Sequence, residues 1–133
     1  WGWGLVMQKA VLAFILGCVL SIGGALAQLP SDNKGDTITF KIQSNYRYIV
    51  QLEFYSQSRK VAWPGGSKAY NIKDSDVHDY TLNCRPGEKI CYGAWVSGNQ
   101  RLYWGAGMHG RQACTKCCYV CDGQETPVIT LNN

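Results

Sequence analysis

The chain has 133 residues, 46% of them hydrophobic, with a formal net charge of +4 and seven cysteines. That length and apolar content describe one packed domain and exclude an intrinsically disordered chain. The basic residues are scattered from Lys9 to Lys116 with no dense run, so a phosphate-tracking surface is not expected and nucleic acid is not a predicted partner.

The N-terminal segment, residues 1–27, reads as targeting sequence. Met7-Gln8-Lys9 supplies a short n-region with one positive charge, and Ala10 to Ala25 is an uncharged apolar run. Ala25-Leu26-Ala27 has the small-x-small pattern of a cleavage site. The signal proper is placed at 7–27, with residues 1–6 as an upstream extension and cleavage between Ala27 and Gln28. A retained anchor is the competing reading, because the run from Leu5 approaches the roughly 20 residues that span a bilayer. Ser21, Gly23 and Gly24 weaken that run, and no charge cluster follows it. A lipoprotein reading through Ile15-Leu16-Gly17-Cys18 leaves an unusually short apolar region. The expected location is secreted or periplasmic, with no stable membrane span after cleavage.

Cleavage removes Lys9 and Cys18, leaving a net charge of about +3 and six cysteines: Cys84, Cys91, Cys114, Cys117, Cys118 and Cys121. An even count in an exported chain predicts three disulfides. The spacing does not choose among the possible pairings. Cys84 and Cys91 either pair with each other or reach the C-terminal cluster. Because all six lie in the C-terminal half, packing alone must hold the N-terminal half.

Residues 28–36 are polar and turn-rich and read as a flexible segment before a disulfide-bonded β domain at 37–133. Residues 37–43 alternate, with Ile38, Phe40 and Ile42 on one side, the period of a half-buried strand. Residues 46–56 repeat the pattern, with Tyr48, Val50, Leu52 and Phe54 sharing a face. Val61-Ala62-Trp63 is a short apolar element stopped by Pro64-Gly65-Gly66, and 68–72 is another short strand. Residues 77–84 place Tyr80, Leu82 and Cys84 on the face of His78. Arg85-Pro86-Gly87-Glu88 has the type II signature, proline then glycine, and 89–96 returns from it as the second arm of a hairpin. Ser97 to Gln100 is a further hairpin turn before 101–105. Residues 106–113 are irregular, 114–121 hold the cysteine cluster, and 126–131 form a closing strand with Pro127 at its start.

Short strands with frequent turns and no amphipathic helix predict an all-β fold. A small antiparallel β-sandwich with an immunoglobulin-like arrangement comes first, and an open barrel or jelly roll second. The likeness is architectural, since the Cys…Trp…Cys spacing of immunoglobulin domains is missing.

Cys114-x2-Cys117-Cys118-x2-Cys121 is the densest chemical feature. Four thiolates this close suit tetrahedral zinc. Adjacent Cys117 and Cys118 point apart in an extended chain, and export favours oxidation, so disulfides are preferred and no metal is assigned. Both halves also have redox-motif spacing, but no helix follows to stabilise a thiolate. A second feature is aromatic: Tyr92, Trp95, Tyr103 and Trp104 fall on two strands that the turn at 97–100 would bring together. Trp63, Trp95, Tyr103 and Trp104 are the candidate ligand-binding residues, suited to a sugar ring or a protein surface. Core packing is the competing reading for each tryptophan, since large aromatics supply much of a small core.

His78 lies near Asp76 and Asp79, and His109 sits in the glycine-rich loop; either suits acid–base chemistry or a plain polar surface. No nucleophile elbow, zinc-protease motif, phosphate loop or dinucleotide fingerprint occurs. No catalytic residue and no cofactor is assigned. The preferred function is a noncatalytic binding module for a protein or glycan outside the cytoplasm. A structural or envelope-associated protein is the first alternative, and a small hydrolase or thiol redox protein the second.

Overall fold

The computed structural model describes residues 35–132. The proposed signal peptide and nearly all of the 28–36 segment lie outside the described residues. Nine strands follow one another: β1 (Thr37–Ser44), β2 (Val50–Ser56), β3 (Ala62–Trp63), β4 (Tyr70–Ile72), β5 (Val77–Asn83), β6 (Lys89–Val96), β7 (Asn99–Gly105), β8 (Cys118–Val120) and β9 (Glu125–Leu131). A 3-10 turn, Met108–Gly110, interrupts the segment between β7 and β8. Among the described residues, no helix is long and apolar enough to cross a membrane.

The strands form two sheets. The smaller has the order β5-β1-β9, and the larger runs β3-β2-β6-β7, with β4 also paired to β2 and β8 to β6. Alternation dictates where each side chain goes. Ile38, Phe40 and Ile42 of β1 are buried against Val50, Leu52 and Phe54 of β2, with Leu82, Ile90 and Leu131 completing the core. Phe40 and Phe54 stack with ring centroids 4.6 Å apart, joining the two sheets at their middle. Burying side chains of this size supplies about 1.5–3 kcal/mol each.

The result is a small, mostly antiparallel β-sheet domain with three disulfides in its C-terminal half. One pair departs from the antiparallel expectation: β1 and β9 run parallel, with Ile42 opposite Ile129. Strands so far apart in the chain need no tight connection, so either direction is available to them. The predicted hairpin at Pro86-Gly87 is a second departure. The turn itself forms, with the Glu88 N–H donating to the Arg85 carbonyl at 2.9 Å and Gly87 at φ 79. Its arms do not pair with each other. β5 pairs with β1 and β6 with β2, so the turn carries the chain from one sheet to the other. The turn at Ser97-Gly98 does close a hairpin, β6 with β7.

Cys84 pairs with Cys121, Cys91 with Cys118 and Cys114 with Cys117. Of the two arrangements open to Cys84 and Cys91, both residues take the reach to the C-terminal cluster. Cys91 and Cys118 are direct cross-strand partners on β6 and β8. Cys84, at the end of β5 in the small sheet, is tied to the segment leaving β8, so this bridge clamps one sheet to the other.

Candidate functional site

The larger sheet has two faces, and the pleat divides the candidate aromatics between them. Val50, Leu52 and Phe54 of β2 point to the core; Gln51, Glu53 and Tyr55 point outward. The register continues this outer face through Trp95, Gly93 and Cys91 of β6 and Tyr103 of β7. Trp95 is opposite Tyr103, and Ala94 opposite Trp104. The aromatics therefore do lie on adjacent strands, but Trp95 and Tyr103 share the outer face while Trp104 turns to the inner one.

Burial separates them further. Trp95 is only 3% exposed, with its indole N–H donating to Gln51 Oε1 at 3.0 Å, so it offers no open ring to a ligand. Trp104 is half-buried against the core, edge-on to Tyr46 at 5.5 Å, and its N–H donates to the Asn132 carbonyl at 2.7 Å. Trp63 is half-buried on β3, opposite Phe54. Tyr103 is open, at 44% exposure.

The structure adds exposed residues that periodicity assigned elsewhere. β2 begins at Val50, so Tyr48 falls in the bend before it and leaves the core face on which alternation had placed it. It stands 55% exposed, beside Ile49 at 41%. Leu102, on β7, is 45% exposed. Tyr46, Tyr48, Ile49, Val96 and Leu102 line one shallow groove, with Ser97 and Asn99 supplying polar groups at its rim. The Arg47 guanidinium stacks on the Tyr48 ring, 4.9 Å from its centroid. On the other side of β7, Tyr103 borders a second groove with Arg101, Met108 and Arg111. An edge strand alternates its side chains to both faces, which is why Leu102 and Tyr103 open onto different grooves.

The second chemical feature lies beneath the loop between β7 and β8. Its backbone rests directly on β6 because residue 93 is glycine: a Cβ there would stand 2.1 Å from the Gly107 carbonyl oxygen. The Tyr55 hydroxyl donates to that same oxygen at 3.0 Å, and burial pushes its pKa upward. Beside it Glu53 is buried, with His109 Nδ1 3.6 Å from its Oε1. Burial raises the Glu53 pKa, and the His109 ring pulls in the opposite direction. His109 has φ 57, a left-handed conformation that costs a non-glycine residue roughly 1–2 kcal/mol. Its ring remains partly exposed, so a buried carboxylate backs an accessible imidazole.

His78 has an acidic partner as well, but not the ones adjacent in sequence. Its Nε2 is 2.6 Å from Asp74 Oδ1. Asp79 instead pairs with Lys41 across the sheet at 3.1 Å. The His78 pair sits on the open surface of β5, away from the grooves around β7.

A further buried acid is structural in its contacts. Glu88 closes the 85–88 turn and accepts from Arg59 through two nitrogens, at 2.5 and 2.6 Å, from Ser56 Oγ at 2.6 Å, from the Arg85 N–H at 3.0 Å and from Ser58 Oγ at 3.5 Å. The Arg59 bonds hold its pKa down to about 2.

The four remaining candidates, Cys91, Cys114, Cys117 and Cys118, gather where the loop meets β6. Cys91, Ala106 and Cys117 are buried together, with Tyr55 and Tyr92 packed around them. The sequence-based expectation that Cys117 and Cys118 diverge does not hold. β8 starts only at Cys118, so Cys117 is outside the extended pleat, and the two sulfurs approach to 3.8 Å.

No family model matches this chain, and neither a curated protein nor a solved structure matches it. The fold and the site therefore define only a class: a disulfide-stabilised β-sheet domain with exposed aromatic patches.

Proposed function

We propose that the chain is a noncatalytic binding module, exported from the cytoplasm, that engages a protein or glycan through the aromatic and apolar rim around β7. One observation carries this reading: Tyr48, Ile49 and Leu102 stand largely exposed around a single open groove. Exposed tyrosines with an adjacent arginine are over-represented where proteins meet partners. Tyrosine faces beside Ser97 and Asn99 equally suit the apolar face and hydroxyls of a sugar. The apolar, cleavage-patterned leader and the six paired cysteines support export.

The test is a glycan array and an extracellular-protein interaction screen with the wild-type domain, repeated with Y48A/L102A and with Y103A. Loss of a saturable hit in Y48A/L102A, with melting temperature kept within a few degrees, supports the reading. A hit unaffected by either variant, or no saturable hit in either screen, counts against it.

A small hydrolase is the second reading, favoured by the buried Glu53 behind the accessible His109. There His109 exchanges the proton and Glu53 orients its ring. Turnover of ester, glycoside or phosphodiester model substrates that is lost in both H109A and E53Q would support it. Turnover retained in H109A, or none with any substrate class, removes it.

A further inference from the structure

We propose that, when its two clustered disulfides are reduced, this chain binds one thiophilic divalent cation of the Zn2+ class through Cys91, Cys114, Cys117 and Cys118. The inference is independent of the binding reading above and rests on how the fold converges these sulfurs.

Three of them, from Cys91, Cys117 and Cys118, lie within 4.8 Å of one another. The non-bonded contact between Cys117 and Cys118 is 3.8 Å. With zinc–sulfur bonds of about 2.3 Å, the edge of a tetrahedral thiolate site is about 3.8 Å. Cys114 is bonded to Cys117 across a two-residue spacer, which is the C-x2-C spacing of structural zinc sites. Its sulfur is not one of the three that lie within 4.8 Å of one another; its bond to Cys117 and this spacing make it the proposed fourth ligand.

Backbone pairing places these residues as well as the disulfide bonds do. Cys91 and Cys118 are opposite one another in the β6–β8 ladder. The Tyr92 N–H donates to the Cys117 carbonyl at 3.0 Å, and the Cys121 N–H to the Glu88 carbonyl at 2.8 Å. These backbone bonds tie one end of the Cys117–Cys121 segment to β6 and the other to Glu88, the residue before it. The surroundings are apolar, with Cys91 and Cys117 buried and Ala106, Tyr55 and Tyr92 around them. Such a shell keeps water away from a bound cation. Cys84 and Cys121 take no part; they are bonded to each other, and their bridge belongs to the clamp between sheets.

The chemistry balances with a dithiol reductant. Two dithiols deliver four electrons and four protons, opening Cys91–Cys118 and Cys114–Cys117 to four thiols and leaving as two disulfides. Cation binding then releases the four thiol protons to solvent, and the sulfurs coordinate as thiolates. The same four residues thus alternate between two covalent bridges and one metal centre, set by the redox poise of the surroundings.

The experiment is anaerobic titration of the full chain with Co2+ and Zn2+, before and after dithiol reduction, with free thiols counted at each stage. The expected result is one Co2+ per reduced chain, with thiolate-to-cobalt charge transfer and the strong visible bands of a tetrahedral centre. The oxidised chain gives none. C91S/C118S loses the spectrum, whereas C84S/C121S keeps it. Should the reduced chains unfold, circular dichroism follows the same comparison: Zn2+ restores β structure in wild type and C84S/C121S but not in C91S/C118S. Absence of stoichiometric binding by the reduced wild type overturns the proposal. So does a spectrum that survives in C91S/C118S, or a reduced chain that stays unfolded with Zn2+.

Discussion

Glu88 shows how one side chain sets a pH limit. Its carboxylate is buried and accepts five hydrogen bonds, and Arg59 holds its pKa down to about 2 against the ordinary 4.5. A depressed folded-state value means the stabilisation is fully present above pH 4.5 and is lost as pH falls toward 2. Thermal melts across pH 2–7 are expected to show wild-type stability falling through that window, with a flatter profile for E88Q. At neutral pH E88A is expected to cost at least about 2 kcal/mol, since it strands the Ser56, Arg59 and Arg85 donors; urea denaturation reads this directly. Tyr48 and Leu102 are the contrasting case. Both are largely exposed, so their truncation is expected to change stability by no more than about 0.5 kcal/mol while removing the binding surface. That separation between stability and binding is what makes them informative.

At the scale of elements, the loop between β7 and β8 is held on the sheet by a vacancy in β6. Gly93 has no positive φ to accommodate; its role is spatial, because the Gly107 backbone occupies the place of a side chain. G93A is therefore expected to lift the loop and separate His109 from Glu53. An overpacked site of this kind typically costs about 1–3 kcal/mol. Hydrogen exchange is expected to show lost protection at Ala106, whose N–H donates to Tyr92, and at Gln112, whose N–H donates to Ala106. The 85–88 turn placed β6, and alternation made two strands legible in the sequence, since β1 and β5 lie where period two put them. It failed at the start of β2, where residues 46–49 continue the alternating pattern but bend away from the sheet. Periodicity records polarity, not whether a backbone partner is present, and no strand pairs with those residues.

Across the whole molecule, the Cys84–Cys121 bridge joins the two sheets over a sequence separation of 37 residues. A closed loop of that length restricts the unfolded chain enough to contribute about 2–4 kcal/mol. C84S/C121S is expected to lose this amount in urea denaturation and still fold, because the Phe40–Phe54 core does not depend on it. The Cys114–Cys117 bridge closes a loop of separation only 3, so C114S/C117S is expected to lose far less. The sheet edges carry features that discourage self-association: β3 is only two residues long and followed by Pro64, β9 contains Pro127, and β7 presents Arg101. Light scattering is expected to show a monomer over a wide concentration range, and a concentration-dependent increase in mass would favour the alternative of an assembling envelope protein.

The sequence by itself determined the β class, the positions of most strands, the turns at 85–88 and 97–98, and the oxidised state expected of six cysteines. These follow from local rules: alternation, turn chemistry and an even cysteine count. It left the disulfide pairing open, and it could not foresee that the 85–88 turn crosses between sheets. Nor did it show which aromatics remain exposed, or that Glu53 meets His109. Those outcomes depend on which strands pair and in what register, a matter of contacts between residues far apart in the chain. Trp95 and Tyr48 make the point: the tryptophan that looked available is buried, with the His109 ring 6.5 Å from its own, and the tyrosine that looked like core is open to solvent. Only the tertiary arrangement of β2, β6 and β7 decides between them, because exposure depends on what packs against a residue.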